Sequence, residues 1–244
     1  MRFFILFFIL FSFTGLAWAN KPWGLGASFI HSQVNYKEPG LMSEKGSLQG
    51  YSVEGYLAPS HWLVFQAQGK WLNGNLEYDG STFGGTPVSQ TTEDKITEYR
   101  ALMMLKFDRL GLYTGWGQRY WLNDLVISYR RETTYQYMPI GFRYVWRPFY
   151  VSYETRHFLG GVNKSYMGDI GGGRHDVTMK QKSGKGYSVE AGWLMRISTF
   201  DLKFSFAYEY WGIDDSETSF DGVDTLVEPH NSTNSYIFSA GVYF

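Results

Sequence analysis

The chain has 244 residues, a formal net charge of −1 and no cysteine. This excludes a disulfide framework, a thiolate metal site and a lipid-anchored cysteine, and it gives no electrostatic footprint for a nucleic-acid partner. Aromatic residues make up 19% of the chain and glycines number 28, yet the mean hydropathy is −0.28.

In chain order, the first element is a leader. Arg2 supplies a positive start, Phe3 to Leu16 is almost wholly apolar, and Ala17-Trp18-Ala19 places small residues at the −3 and −1 positions. These are the three parts of a secretory signal peptide. The apolar run, about 14 residues, falls short of the roughly 20 that a membrane-spanning helix needs. Cleavage after Ala19 is expected, leaving residues 20–244 as a single domain.

Ten segments with period-two alternation then follow as predicted strands: 23–36, 47–58, 62–78, 93–107, 111–122, 130–146, 149–158, 184–198, 200–213 and 233–244. The alternation is clearest where Tyr99, Ala101, Met103, Leu105 and Phe107 oppose Glu98, Arg100 and Lys106. It recurs where Leu202, Phe204, Phe206, Tyr208 and Tyr210 oppose Lys203, Ser205, Ala207 and Glu209. Tight connections at 59–61, 108–110, 147–148 and 198–199 alternate with long polar ones at 37–46, 79–92, 123–129, 159–183 and 214–232. Short turns on one side and long loops on the other are the signature of a transmembrane barrel. The predicted fold is therefore all-β: a closed antiparallel up-and-down transmembrane β-barrel of about ten strands, with eight or twelve as alternatives. An even count puts both termini on the short-turn side and closes the sheet without edges.

The last strand, Ser235 to Phe244, carries Tyr236, Phe238, Ala240, Val242 and a terminal Phe244 on one face. It resembles the closing strand of bacterial outer-membrane barrels, in which a terminal aromatic is recognised by the barrel-assembly machinery. The chain is similar in style to the OmpA-like small barrels and shares a ten-strand count with the omptin proteases. The resemblance implies a bacterial outer-membrane location, contact with outer-membrane lipid and lipopolysaccharide, and Phe244 as an assembly signal. It implies no activity. A monomer without cofactor or metal is expected.

With the apolar face toward lipid, the lumen receives Glu54, Lys70, Glu98, Arg100, Lys106, Arg119, Arg143, Glu154, Arg156, Glu190, Arg196, Lys203 and Glu209. Charges in a narrow barrel must pair, because an isolated buried ion is costly. The expectation is a structural ion-pair network, with a narrow porin as the alternative.

His175-Asp176 and Asp214-Asp215 have the chemistry for general-base work of the omptin type. Their glycine-rich surroundings read instead as a solvated loop. Gly168 to Gly173 lacks the flanking strand and helix of a phosphate cradle. Tyr129-Arg130-Arg131-Glu132, with Arg119, Tyr120, Trp121 and Asp124, reads as an outer cluster suited either to lipopolysaccharide phosphates or to surface ion pairs. Trp62, Trp71, Trp116, Trp121, Trp146, Trp193, Tyr153 and Tyr208 read as an aromatic girdle. The functional expectation is a structural or surface-contact barrel without catalysis, an outer-membrane hydrolase being the least favoured alternative.

Overall fold

A computed structural model describes residues 21–81, 85–125 and 129–244. The expected leader, 1–19, lies outside these residues. The wall is built from β1 (Trp23–Glu38), β2 (Met42–Leu57), β3 (Leu63–Ser81), β4 (Pro87–Phe107), β5 (Leu110–Asp124), β6 (Arg130–Trp146), β7 (Phe149–Ser165), β8 (Val177–Gln181), β9 (Gly184–Ile197), β10 (Phe200–Ile213) and β13 (Asn231–Tyr243). Two short strands, β11 (Ser219–Phe220) and β12 (Thr225–Leu226), form a separate hairpin. Neighbouring wall strands pair antiparallel, and β1 pairs with β13, so the sheet closes on itself. β8 and β9 meet β7 in one register, with Gly161 opposite Gln181 and His157 opposite Lys185. They count as one wall strand with a break at Lys182–Ser183, which makes ten. The break faces a bulge in β7, where the pairing with β6 skips Leu159. An extra residue reverses which side chains point inward; both strands change phase at this height and the register survives.

Three of the connections expected to be long are shorter in the structure. β1 and β2 are joined through residues 39–41 alone, and β3 and β4 extend to Ser81 and Pro87. β7 likewise runs to Ser165 before the segment holding the short 3-10 turn Met167–Ile170. The reason is a change of phase in the dyad. Near the short turns the apolar residues face outward: Trp23, Leu25 and Phe29 on β1, Phe65 on β3, Tyr99, Met103 and Phe107 on β4, and Phe204 and Phe206 on β10 are all exposed. Farther along the same strands the outward positions are polar, as at Lys37, Lys45, Glu77, Glu93 and Lys95. There the inward positions are apolar and buried: Val34, Leu48, Leu72, Leu76 and Ile96. Alternation persists and its meaning inverts. The outward apolar band is about nine residues tall, roughly 23 Å at an ordinary strand tilt, which matches the hydrophobic height of transmembrane barrels. Beyond it the wall projects as a water-facing extension with a protein-like core.

Candidate functional site

The lumen is filled in layers. The extension holds Ile30, Val34, Leu48, Leu72, Leu76 and Ile96 packed with Tyr36 and Trp121. A second cluster joins Tyr135, Tyr137, Trp211 and Ile213. Trp211 is 1% exposed, and its ring packs edge-on to Tyr137 with centroids 5.1 Å apart.

Below this plug lies an ion-pair network that the strand alternation delivers from four different strands. Lys70 on β3 meets Glu98 on β4 at 2.6 Å and Glu209 on β10 at 3.5 Å. Arg100 on β4 pairs with Glu154 on β7. Arg156, fully buried, reaches Glu154 at 2.8 Å, Glu209 at 3.0 Å and Glu98 at 4.0 Å. The Tyr137 hydroxyl donates to Glu98. Three cations thus face three carboxylates. A lower group joins Lys203 to Glu190 at 3.4 Å, with the Tyr150 hydroxyl donating to Glu190 and the Arg143 guanidinium 5.6 Å from the Tyr150 ring centre. Glu54 accepts from Gln66 at 3.4 Å. The space among these lower groups is a cavity of about 40 Å³ bordered by Glu54, Arg100, Arg143, Glu154, Glu190 and Lys203, room for a few waters.

The remaining expected lumen residues are placed differently. Arg119 is buried without a carboxylate partner among the described residues and lies between the Trp121 and Trp211 rings, at 5.3 and 5.9 Å. Arg196 pairs with Asp201 at 3.3 Å near the short turns, and Lys106 lies half-buried at the same end.

Strand alternation also splits the arginine cluster. Arg130 faces outward, where it and Lys164 both lie against the Tyr166 ring, at 4.0 and 4.1 Å from its centre. Arg131 faces inward and is buried among Glu38 at 3.0 Å, Glu44 at 3.3 Å and Glu228 at 3.9 Å. Asn123 links this cage to Asp94 at 3.0 Å. One Glu44 carboxylate oxygen is buried without a hydrogen-bond partner among the described residues. Sequence reasoning missed Glu38, Glu44 and Glu228, which fall on segments read as loop, and Asp94, which falls at the start of the predicted strand 93–107 but past the inversion. The inversion itself, visible at Ile96 beside Tyr99, was the signal that would have found the three on wall strands; Glu228, in the connection before β13, has no such signal.

The two longest connections are tied together into a lid over the cage. Arg174 pairs with Asp221 and, at 2.6 Å, with Asp224. The His175 amide donates to the Asp221 carbonyl at 2.6 Å, and the Glu217 amide to the Lys180 carbonyl at 2.8 Å. Burial works against the Asp221 charge, but the Asp224 and Val223 amides and the Arg174 guanidinium hold its carboxyl below the usual aspartate value. Underneath, Met167, Val177 and Met179 pack with Tyr129 and Leu226. Glu228 latches the lid to the cage and accepts from the Tyr36 hydroxyl at 3.4 Å. Burial, opposed by Arg131 and reinforced by Glu38, pushes Glu228 up to about 7.

His175-Asp176 and Asp214-Asp215, the residues suited to base catalysis, share no hydrogen bond or ion pair among the described residues, and Asp176 accepts from the Gly168 amide at 3.2 Å. Asp214 instead accepts from the Ser183 hydroxyl and lies 3.6 Å from His230, both acid and imidazole being half-exposed. The carboxylate sits between hydroxyl and imidazole, so the ring is not positioned to take the Ser183 proton.

The outer membrane protease OmpT from Escherichia coli superposes with a TM-score of 0.55 at 10% identity, over 96% of this chain and 99% of that one. The fold is that of the bacterial outer-membrane β-barrels. Two further matches are smaller in score: the translocator domain of the autotransporter NalP from Neisseria meningitidis (TM-score 0.44, 11% identity, 96% of this chain and 90% of that one) and the attachment invasion locus protein Ail of Yersinia pestis (0.36, 10%, 92% and 100%). No protein-family model and no curated sequence matches the chain. At these identities the likeness is one of architecture, and function rests on the residues.

Proposed function

We propose that the protein is a closed-lumen barrel of the bacterial outer membrane with a structural and surface-contact role, holding a braced lid at the level of the lipopolysaccharide layer. The observation that carries this reading is the unbroken filling of the lumen: an aromatic and aliphatic plug in the extension, then a charge-balanced network with space for only a few waters. That filling speaks against the narrow-porin alternative. The outward apolar band with Trp23, Trp62, Trp116, Trp146 and Trp193 exposed on it supports a membrane setting. Above the band, exposed Lys37, Lys45 and Lys95 and the Arg130–Tyr166–Lys164 group offer cations at the height of anionic headgroups. In this reading residues 1–19 direct export and are removed, and the barrel-assembly machinery inserts the chain as a monomer. No residue is assigned a catalytic role.

Planar-bilayer recording of the purified protein tests the closed lumen. The expected trace lacks reproducible steps; steady single-channel conductance overturns the reading. Lipopolysaccharide binding tests the surface role: Lys37→Gln with Lys45→Gln should weaken it, and unchanged binding argues against headgroup contact at that rim.

A further inference from the structure

The end of the lumen at the short turns has a charge imbalance that the network above it lacks. Arg147 lies in the turn between β6 and β7. The Leu194 amide donates to the neighbouring Pro148 carbonyl at 2.6 Å, which sets this turn beside the end of β9. Two residues along β9 from Leu194 is Arg196. Lys106 occupies the inward row of β4, in phase with buried Leu102 and Met104. Leu102, Met104 and Tyr113, backed by Val64, form an apolar floor between this mouth and the ion-pair network. Within the mouth Arg196 engages the buried Asp201 at 3.3 Å and donates from Nε to the Ser198 carbonyl at 3.1 Å. Lys106 and Arg147 have no carboxylate within 4.0 Å among the described residues, although Asp201 acts on Arg147 at longer range. One Arg147 guanidinium nitrogen is buried with no hydrogen-bond acceptor among the described residues. Burying a charged donor without an acceptor is unfavourable. Three cations, partly buried, against one carboxylate leave a surplus of two positive charges at this end of the lumen.

We propose that this mouth is a binding site for a phosphate dianion, gripped by Lys106 and Arg147 with Arg196 as the third positive wall. A dianion cancels the surplus. The planar fork of Arg147 suits the oxygens of a tetrahedral anion, Lys106 supplies a point charge beside it, and the buried guanidinium nitrogen gains its acceptor. Burial and the neighbouring Arg196 lower the Arg147 pKa, Asp201 offsetting part of this; a bound anion relieves both. The same chemistry is offered by free phosphate and by a lipid phosphomonoester headgroup. The site depends neither on the lid nor on the direction in which the barrel faces, so its failure leaves the closed-lumen reading standing.

The test uses the full chain in an uncharged, phosphate-free maltoside detergent. Inorganic phosphate is titrated at pH 8 by calorimetry. Saturable binding is expected, weakened at least about tenfold by Arg147→Gln and by Lys106→Gln and strengthened by Asp201→Asn. Arg174→Gln, in the lid, should leave it unchanged. Circular dichroism confirms the barrel in each variant. Absence of binding to the unaltered protein, or equal affinity in folded Arg147→Gln and Lys106→Gln proteins, overturns the proposal. Nanodiscs separate the two sources. Phosphatidic acid that displaces inorganic phosphate identifies a lipid headgroup as occupant; phosphate binding indifferent to phosphatidic acid identifies a soluble one.

Discussion

Replacing Arg156 by methionine tests whether the lumen charges are a structural network. Methionine keeps much of the aliphatic volume and deletes the charge. Arg156 touches Glu154 at 2.8 Å, Glu209 at 3.0 Å and Glu98 at 4.0 Å, and it packs over the Tyr137 and Trp211 rings at 5.5 and 5.1 Å. At an effective dielectric of about 20, one contact near 3 Å is worth roughly 5 kcal/mol of gross attraction. Desolvation of the partners opposes this, and removing one member of a buried pair costs about 3–5 kcal/mol overall because the other stays uncompensated. Three cations against three carboxylates become two against three. Glu209→Gln in the same chain removes the excess carboxylate and restores balance. The assay is urea unfolding in lipid vesicles of wild type, both single variants and the double variant. Arg156→Met alone should lose about 3–5 kcal/mol, and the double variant should be more stable than the sum of the single losses by more than about 1 kcal/mol. Additive losses within about 0.5 kcal/mol, or a single-variant loss below about 1 kcal/mol, would refute the reasoning.

The latch should respond to pH. Glu228 has its folded pKa raised to about 7 from the usual 4.5, so its contribution to lid docking is fully present below about 4.5 and is lost as pH rises through 7. Lid amides should exchange hydrogen faster at pH 8 than at pH 5, beyond the intrinsic rate change. Glu228→Gln should flatten that difference, and a profile identical to wild type counts against the latch. Arg174→Gln removes the bridge to Asp221 and Asp224 and should speed proteolytic cleavage within 214–230 without altering barrel unfolding; equal cleavage rates would show that the clamp does not brace the lid. Deleting Phe244 should abolish insertion in cells yet permit refolding of the purified chain into detergent, since among the described residues Phe244 adds the rim pairing with Leu25 and a ring contact with Phe200. Normal insertion of the truncated chain in cells would rule out its role as an assembly signal.

The barrel was legible because the apolar dyads near the short turns, such as Tyr99 to Phe107, came with alternating short and long connections and an aromatic final strand; the dyads alone fit a soluble sheet equally well. The inward charges Lys70, Glu98, Arg100, Glu154, Arg156 and Glu209 followed from the same phase. The upper half was not legible on that rule. Past Tyr99 and Phe29 the apolar residues turn inward, and Lys37, Lys45, Asp79 and Thr91 on the water side made continuous hairpins look like polar loops. Arg130 and Arg131, adjacent in sequence, consequently looked like one cluster although the wall divides them. The tie between Arg174 and the Asp221–Asp224 turn spans about 50 residues with no periodic pattern to announce it, and tertiary proximity of that kind has no local signal.

The phase inversion also works as a depth gauge. Sliding the barrel along the membrane normal by one dyad toward its short turns would draw Gln33, Gln49, Asn73, Gln136 and Asn234 into hydrocarbon all around the circumference. Sliding it the other way would lift Tyr51, Tyr99 and Tyr236, at the far edge of the apolar band, into water. Both displacements are opposed on every strand at once, so small per-residue penalties add into a stiff restoring force. The chain therefore specifies its vertical position and the bilayer thickness it tolerates, and a thicker membrane should sort against it even where its fold is untouched.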